Sequence, residues 1–327
     1  MHHNRQVTPF RFLLMATTLV LAVAGAGRGS TGTSTNSGPT SAPLPSGQAP
    51  AQATDADWAP VTEALGRTGK LGDDGTVYRV SLPRTDLNVV SRGVPVKPGL
   101  SLGGYAAFAR YDDGTLVMGD LVVTEDELPK VTVALQAHGI AQTAIHKHLL
   151  EQTPPVWWTH VMAMGDPAGL ARGIRAALDA TAIPPPAAPP AQQPPVDLDT
   201  AAIDTALGRH GTADGGIYKF TIARQDTIEE NGHVLPPTFG VTTGLNFQPL
   251  GGGRAAINGD IVMTGNEIQD VIDALRSGGI DVVEVHNHTL DEQPRLFYLH
   301  FWSVGDSVPL ATTMREAISA THVTPGT

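Results

Sequence analysis

The chain of 327 residues repeats itself at a constant offset of 140 positions, and no other feature restricts its fold as strongly. Tyr78 matches Tyr218, Arg84 matches Arg224, Asp86 matches Asp226 and Gly104 matches Gly244. Gly119-Asp120 matches Gly259-Asp260, Glu127 matches Glu267, and Pro154 matches Pro294, all without a gap. One domain has been duplicated in tandem. Two copies are too few for a solenoid.

Within each copy the patterning changes period several times. Trp58, Val61 and Leu65 make a short amphipathic helix, and strand-like runs follow at Val77 to Leu82, Leu102 to Tyr111 and Leu116 to Val123. Thr124-x-x-Glu127 is a capping box for a helix with Leu128, Val131 and Leu135 on one stripe, repeated as Thr264-x-x-Glu267 with Ile268, Val271, Ile272 and Leu275. A hairpin comes next. The last helix starts at Asp166-Pro167, an N-cap followed by proline, and carries Leu170, Ile174 and Leu178. The order α-β-β-β-α-β-β-α implies an α+β class, with helices on one face of a mainly antiparallel sheet.

Residues 1–26 read as an export signal: Arg5 and Arg11, an apolar run from Phe12 to Val23, then Ala24-Gly25-Ala26 as a cleavage site. The run is shorter than the ~20 residues a bilayer span needs, so no transmembrane span is expected in the mature chain. Residues 27–54, rich in Gly, Ser, Thr and Pro, read as a flexible tether; 55–181 and 198–327 are the two repeats. The segment 182–197, with Pro184-Pro185-Pro186 and Pro194-Pro195, is a polyproline linker. It allows the copies either to stay apart or to pack as a pseudo-dimer. No cysteine is present, which removes disulfides, thiolate metal sites and a lipid-bearing cysteine, and a secreted or extracytoplasmic location is expected. A net charge of −11 argues against nucleic acid, which needs a basic patch.

The chemistry concentrates in the hairpin from Val285 to Asp306. Centred near Pro294, it sets His288 opposite His300 and His286 opposite Trp302, placing the three histidines on one face. Val285, Phe297, Leu299 and Phe301 take the other, which is expected to be core. His146, His148 and His160 repeat the spacing in the first copy. Three imidazoles from paired strands are a metal-ligand set, for zinc above all, although imidazole also suits copper, iron and nickel. Histidines that only pack are the competing interpretation.

A carboxylate is in reach at Asp291, Glu292 or Glu284. Glu292 is expected as fourth ligand or general base, and Tyr298 and Trp302 as an aromatic wall of the pocket. Asp120 and Asp260 point away from an apolar strand face, so they are candidate ligands, orienting partners of a histidine, or general bases. The competing arrangement pairs them with Arg84 and Arg224. Arg224, like Arg84, also stands as a candidate holder of a substrate carboxylate or phosphate. Gly99-x-Ser101-x-Gly103 matches a nucleophile pattern, but the glycine-rich residues beyond Gly103 are strand-like, which disfavours a serine hydrolase.

At the duplicated His-x-His hairpin, with His288-Thr289-Leu290-Asp291-Glu292-Gln293-Pro294 in the fuller copy, the chain resembles the LppY/LpqO family, named after mycobacterial lipoproteins. That resemblance implies export and the repeat architecture, but no reaction. The combined expectation is an exported protein binding a divalent metal, with metal-dependent hydrolysis as its chemistry. A non-catalytic module for a small-molecule or cell-envelope ligand is the alternative.

Overall fold

A computed structural model describes residues 47–186 and 192–326; the expected export signal lies outside them, as does most of the tether. Each repeat forms a six-stranded sheet in which every neighbouring pair is antiparallel. In the first the order is Lys70–Leu71, Val77–Pro83, Gly103–Tyr111, Gly114–Thr124, Val156–Gly165, Ala141–His146. In the second it is Thr212–Asp214, Ile217–Ala223, Thr242–Gly251, Arg254–Thr264, Leu296–Asp306, Asp281–His286. The α+β class and the main element order are as the periodicities imply.

Alternation along the strands decides what each face covers. In the first repeat, Phe108, Val117, Leu121 and Val161 pack under the helices Ala59–Leu65, Leu128–Ala137 and Pro167–Asp179. Phe247, Ile261, Leu299 and Phe301 do so in the second, under Thr200–Leu207, Ile268–Ser277 and Ser307–Ser319. The opposite parity, Tyr105, Ala107 and Met118, meets Phe239, Val262 and Tyr298 of the other copy. Val122, Leu149 and Trp158 likewise meet Ile217, Ala256 and Trp302. The repeats therefore pack sheet against sheet as a pseudo-dimer, with helices outside both sheets. Val285, expected in the core, is 38% exposed because its strand is the edge of its sheet.

Residues 47–54, placed by composition in the tether, run along the domain instead. Gln48 bridges His233, and the Ala51 N–H donates to Arg110 O at 2.7 Å. Two short hairpins hold the histidine loops. Gln152–Thr153 pairs with Val90–Ser91, and Gln293 exchanges two backbone hydrogen bonds with Glu229.

A buried ion cluster closes each repeat. The Arg84 guanidinium, 0% exposed, donates to Asp86 at 2.9 and 2.8 Å, to Glu127 at 2.6 Å and to Val122 O at 3.0 Å. Glu127 also accepts the Thr124 and Ala182 N–H groups, so it joins a strand, a helix start and the chain beyond the last helix. Arg224, Asp226 and Glu267 repeat this. Burial raises the pKa of Asp86, Glu127, Asp226 and Glu267, but hydrogen bonds and charge from the arginines outweigh it and hold all four below the usual range. A depressed folded-state pKa contributes stability above the unfolded value and loses it as pH falls through the folded one. Thermal melts followed by circular dichroism should therefore show a falling midpoint below about pH 4. A flat midpoint from about pH 5 to the acid limit would count against these pairs.

Candidate metal centre

His146 and His286 are the last residues of the two edge strands, and His148 and His288 lie two positions further, in the loops. His160 and His300 stand in the adjacent strands, each directly opposite an aspartate one strand further in: Asp120 opposite His160, Asp260 opposite His300. Directly opposed residues share a face. This face is the one that meets the other repeat.

The expected hairpin register does not hold. His286 lies opposite Tyr298, Glu284 opposite His300, and Asp281 opposite Trp302, with a bulge between Val282 and Glu284. The cause is the connection, residues 287–295, which is tied to Glu229 instead of folding as a tight turn. His288 thus leaves the ladder and is free to reach across.

It reaches the other copy. Ring centroids are 3.7 Å apart for His160 and His288, 3.6 Å for His148 and His300, and 3.9 Å for His146 and His286. Ring nitrogens of His146, His148 and His300 converge, as do those of His146, His160 and His286, while Asp260 joins His286 and His288. The two expected triads, one in each copy, come together in a single six-histidine cluster, and two of the three converging groups draw on both copies. The 140-residue correspondence relates His146, His148, Asp120 and His300 to His286, His288, Asp260 and His160. His148 Nε2 lies 3.6 Å from Asp120, and His288 Nε2 lies 3.7 Å from Asp260.

Among the described residues, two of the rings have one nitrogen engaged and the other free. His288 Nδ1–H donates to Gly240 O at 2.9 Å and His300 Nδ1–H to Gly259 O at 2.8 Å, which leaves each Nε2 lone pair directed inward. His146 Nε2 and His148 Nε2 are 3.0 Å apart. That is close to the ~3.3 Å edge of a tetrahedron with Zn–N bonds of ~2.0–2.1 Å. Burial, reinforced by neighbouring histidines, holds the imidazoles far below their usual pKa, at about 3 for His160, so they are uncharged at pH 7. Burial also lifts Asp120 to about 7 and Asp260 well above its usual value. A divalent cation bound beside them would reverse both shifts.

Other expected participants lie elsewhere. Glu292 is 1% exposed and accepts from Thr289 Oγ1, from Leu296 N at 2.9 Å and from Arg295 at 3.3 Å, so it braces the loop rather than facing the histidines. Glu284 accepts the Lys147 N–H at 2.8 Å. Every Arg224 nitrogen is taken by Asp226, Glu267 or Val262 O, which leaves no donor for a substrate anion and none for Asp260. Tyr298 stacks on His288, while Trp302 lies in the inter-sheet core; in the first copy Trp158 occupies the Tyr298 position and stacks on His148 at 4.5 Å. Ser101 ends a single helical turn before a strand, and its Oγ has no hydrogen-bond partner among the described residues. Composition offered no signal for Arg79, Tyr105 and Gly244, which line the space around the aspartates.

No helix among the described residues is long and apolar enough to cross a membrane. No curated protein matches the chain. Similar solved structures include the trimeric bacterial microcompartment shell protein PduB, at 14% identity over 77% of this chain and 88% of that one, with a TM-score of 0.19. Another is EtuB from Clostridium kluyveri, at 11% identity over 80% and 97%, with a TM-score of 0.19. The family that matches is not LppY/LpqO, which the hairpin led us to expect. Residues 59–180 and 201–320 each match the family described as Domain of Unknown Function (DUF1259), and the chain belongs to it, with the domain in two copies.

Proposed function

We propose that this is an extracytoplasmic metal-binding protein holding two divalent ions, zinc by preference, between its repeats. One observation carries the reading. His146 Nδ1, both nitrogens of His160 and His286, Nε2 of His288 and His300, and Oδ1 of Asp120 are all buried in one space without a hydrogen-bond partner among the described residues. Each such orphan costs about 1–3 kcal/mol, and a coordinated cation removes most of that cost together. The donor set of imidazoles with carboxylates and no thiolate suits zinc. Export rests on the basic, apolar and small-residue pattern of residues 1–26.

A divalent ion there supplies Lewis-acid activation of water at neutral pH, which makes hydrolysis the reaction class to test. The chain's own contribution is to hold neutral imidazoles, those of His288 and His300 in fixed tautomers, and to keep Asp120 and Asp260 at the edge of a cleft, where either can take a proton from an attacking water. Elemental analysis of tag-free protein tests the centre. About two equivalents are expected, against none after His146, His160, His286 and His300 are replaced together. Wild-type protein without metal after exposure to zinc, copper, nickel and iron would sink the reading. Loaded protein that turns over no ester, amide or phosphoester would leave ligand binding as its role.

A further inference from the structure

Two cavities of about 260 and 340 Å³ open between the sheets and share Arg79, Tyr105, Asp120, Gly244 and Asp260. One reaches His148 and the other reaches His160 and His288. Arg79 lies on both walls. Its guanidinium sits 3.4 Å over the Tyr105 ring, with one donation to Thr238 O at 3.3 Å, and it forms no salt bridge among the described residues. Lys219, its counterpart at the 140-residue offset, is held by Asp214 at 2.6 Å. The cleft thus has one uncommitted cation at its wall.

The opposite side is open. In the ladders Tyr105 stands opposite Asp120, but Gly244 stands opposite Asp260. A Cβ on Gly244 would meet nothing within 4 Å. Space has been kept beside the second aspartate where the first repeat has a tyrosine.

Charge then selects the occupant. Six neutral imidazoles contribute nothing, so two divalent ions against two aspartates leave a charge of about +2, to which Arg79 adds. Uncompensated positive charge beside the buried carboxylates and imidazoles of this cleft is costly unless an anion matches it. On the reading that the centre is metal-loaded, we propose that the cleft binds a compact dianionic oxyanion of the phosphate-monoester class, with Arg79 as its anchoring residue. A planar guanidinium offers paired donors to a phosphate, and a carboxylate monoanion neutralises at most half of the excess.

Calorimetric titration of inorganic phosphate into the zinc-loaded full chain tests this, with elemental analysis of the same samples. Phosphate should bind and acetate should bind far more weakly. Arg79→Ala should weaken phosphate by about tenfold or more, and Gly244→Val should block it by filling the open space, both with metal content and melting midpoint retained. Metal-loaded protein that ignores phosphate, binds acetate equally well, or is unaffected by both substitutions overturns the proposal and leaves the metal centre standing. Metal-free protein that binds no phosphate overturns both. Metal-free protein that binds phosphate with the same Arg79 dependence overturns the metal centre and keeps the anion site.

Discussion

Combining His300→Ala with His148→Ala is expected to remove about one equivalent of metal, whereas combining it with His288→Ala is expected to remove both. The reason is the proposed crossing of the repeats, with one ion held by His146, His148, Asp120 and His300 and the other by His286, His288, Asp260 and His160. His300 belongs to the second copy, but its ring lies 3.6 Å from His148 of the first. Within its own copy it is 4.7 Å from His286, and His288 has turned to His160 instead. Two substitutions in one ion's ligand set cost one ion, and two in different sets cost two. Sites confined to single copies predict the reverse, so elemental analysis of these two double variants decides the architecture. Stability gives an independent readout, since a ligand at a thousand times its Kd stabilises the folded state by about 4.1 kcal/mol. Chelation should lower the wild-type melting midpoint sharply, and lower that of the His288, His300 variant least.

Which residues cluster between the repeats was partly legible from residue spacing, and the part that was not has a physical cause. Strand parity put His300 and Asp260 on a face away from the core, because alternation is a local property of extended chain. The register of the hairpin depended on what residues 287–295 do, and they are fixed by Glu229, far away in sequence. Which copy each histidine serves depended on how the sheets dock, and a polyproline linker carries no record of that. Local proximity also misled. Glu292 is near His288 in sequence, but its carboxylate is used up by Thr289, Leu296 and Arg295. The aspartates that do face the histidines come from a strand before the intervening helix.

Arg224→Ala should destabilise the fold by about 3–5 kcal/mol while leaving the metal content of the folded protein unchanged. The guanidinium is 2% exposed at the side chain and ties Asp226 at 2.6 Å to Glu267 at 2.8 Å. Removing it leaves two carboxylates with their desolvation cost and without their counter-charge. Glu267 keeps the Thr264 and His322 N–H groups, at 2.6 and 2.8 Å, so the residual strain falls mostly on charge and not on hydrogen bonding. A second substitution, Glu267→Gln, should therefore recover part of the loss in the Arg224→Ala background, although alone it is destabilising. A substrate-holding arginine predicts the opposite pattern: stability near wild type, and no recovery from a change at Glu267. Denaturant unfolding of the four proteins separates the two, and an Arg224→Ala variant as stable as wild type would remove the arginine from the framework and return it to the candidate ligand contacts.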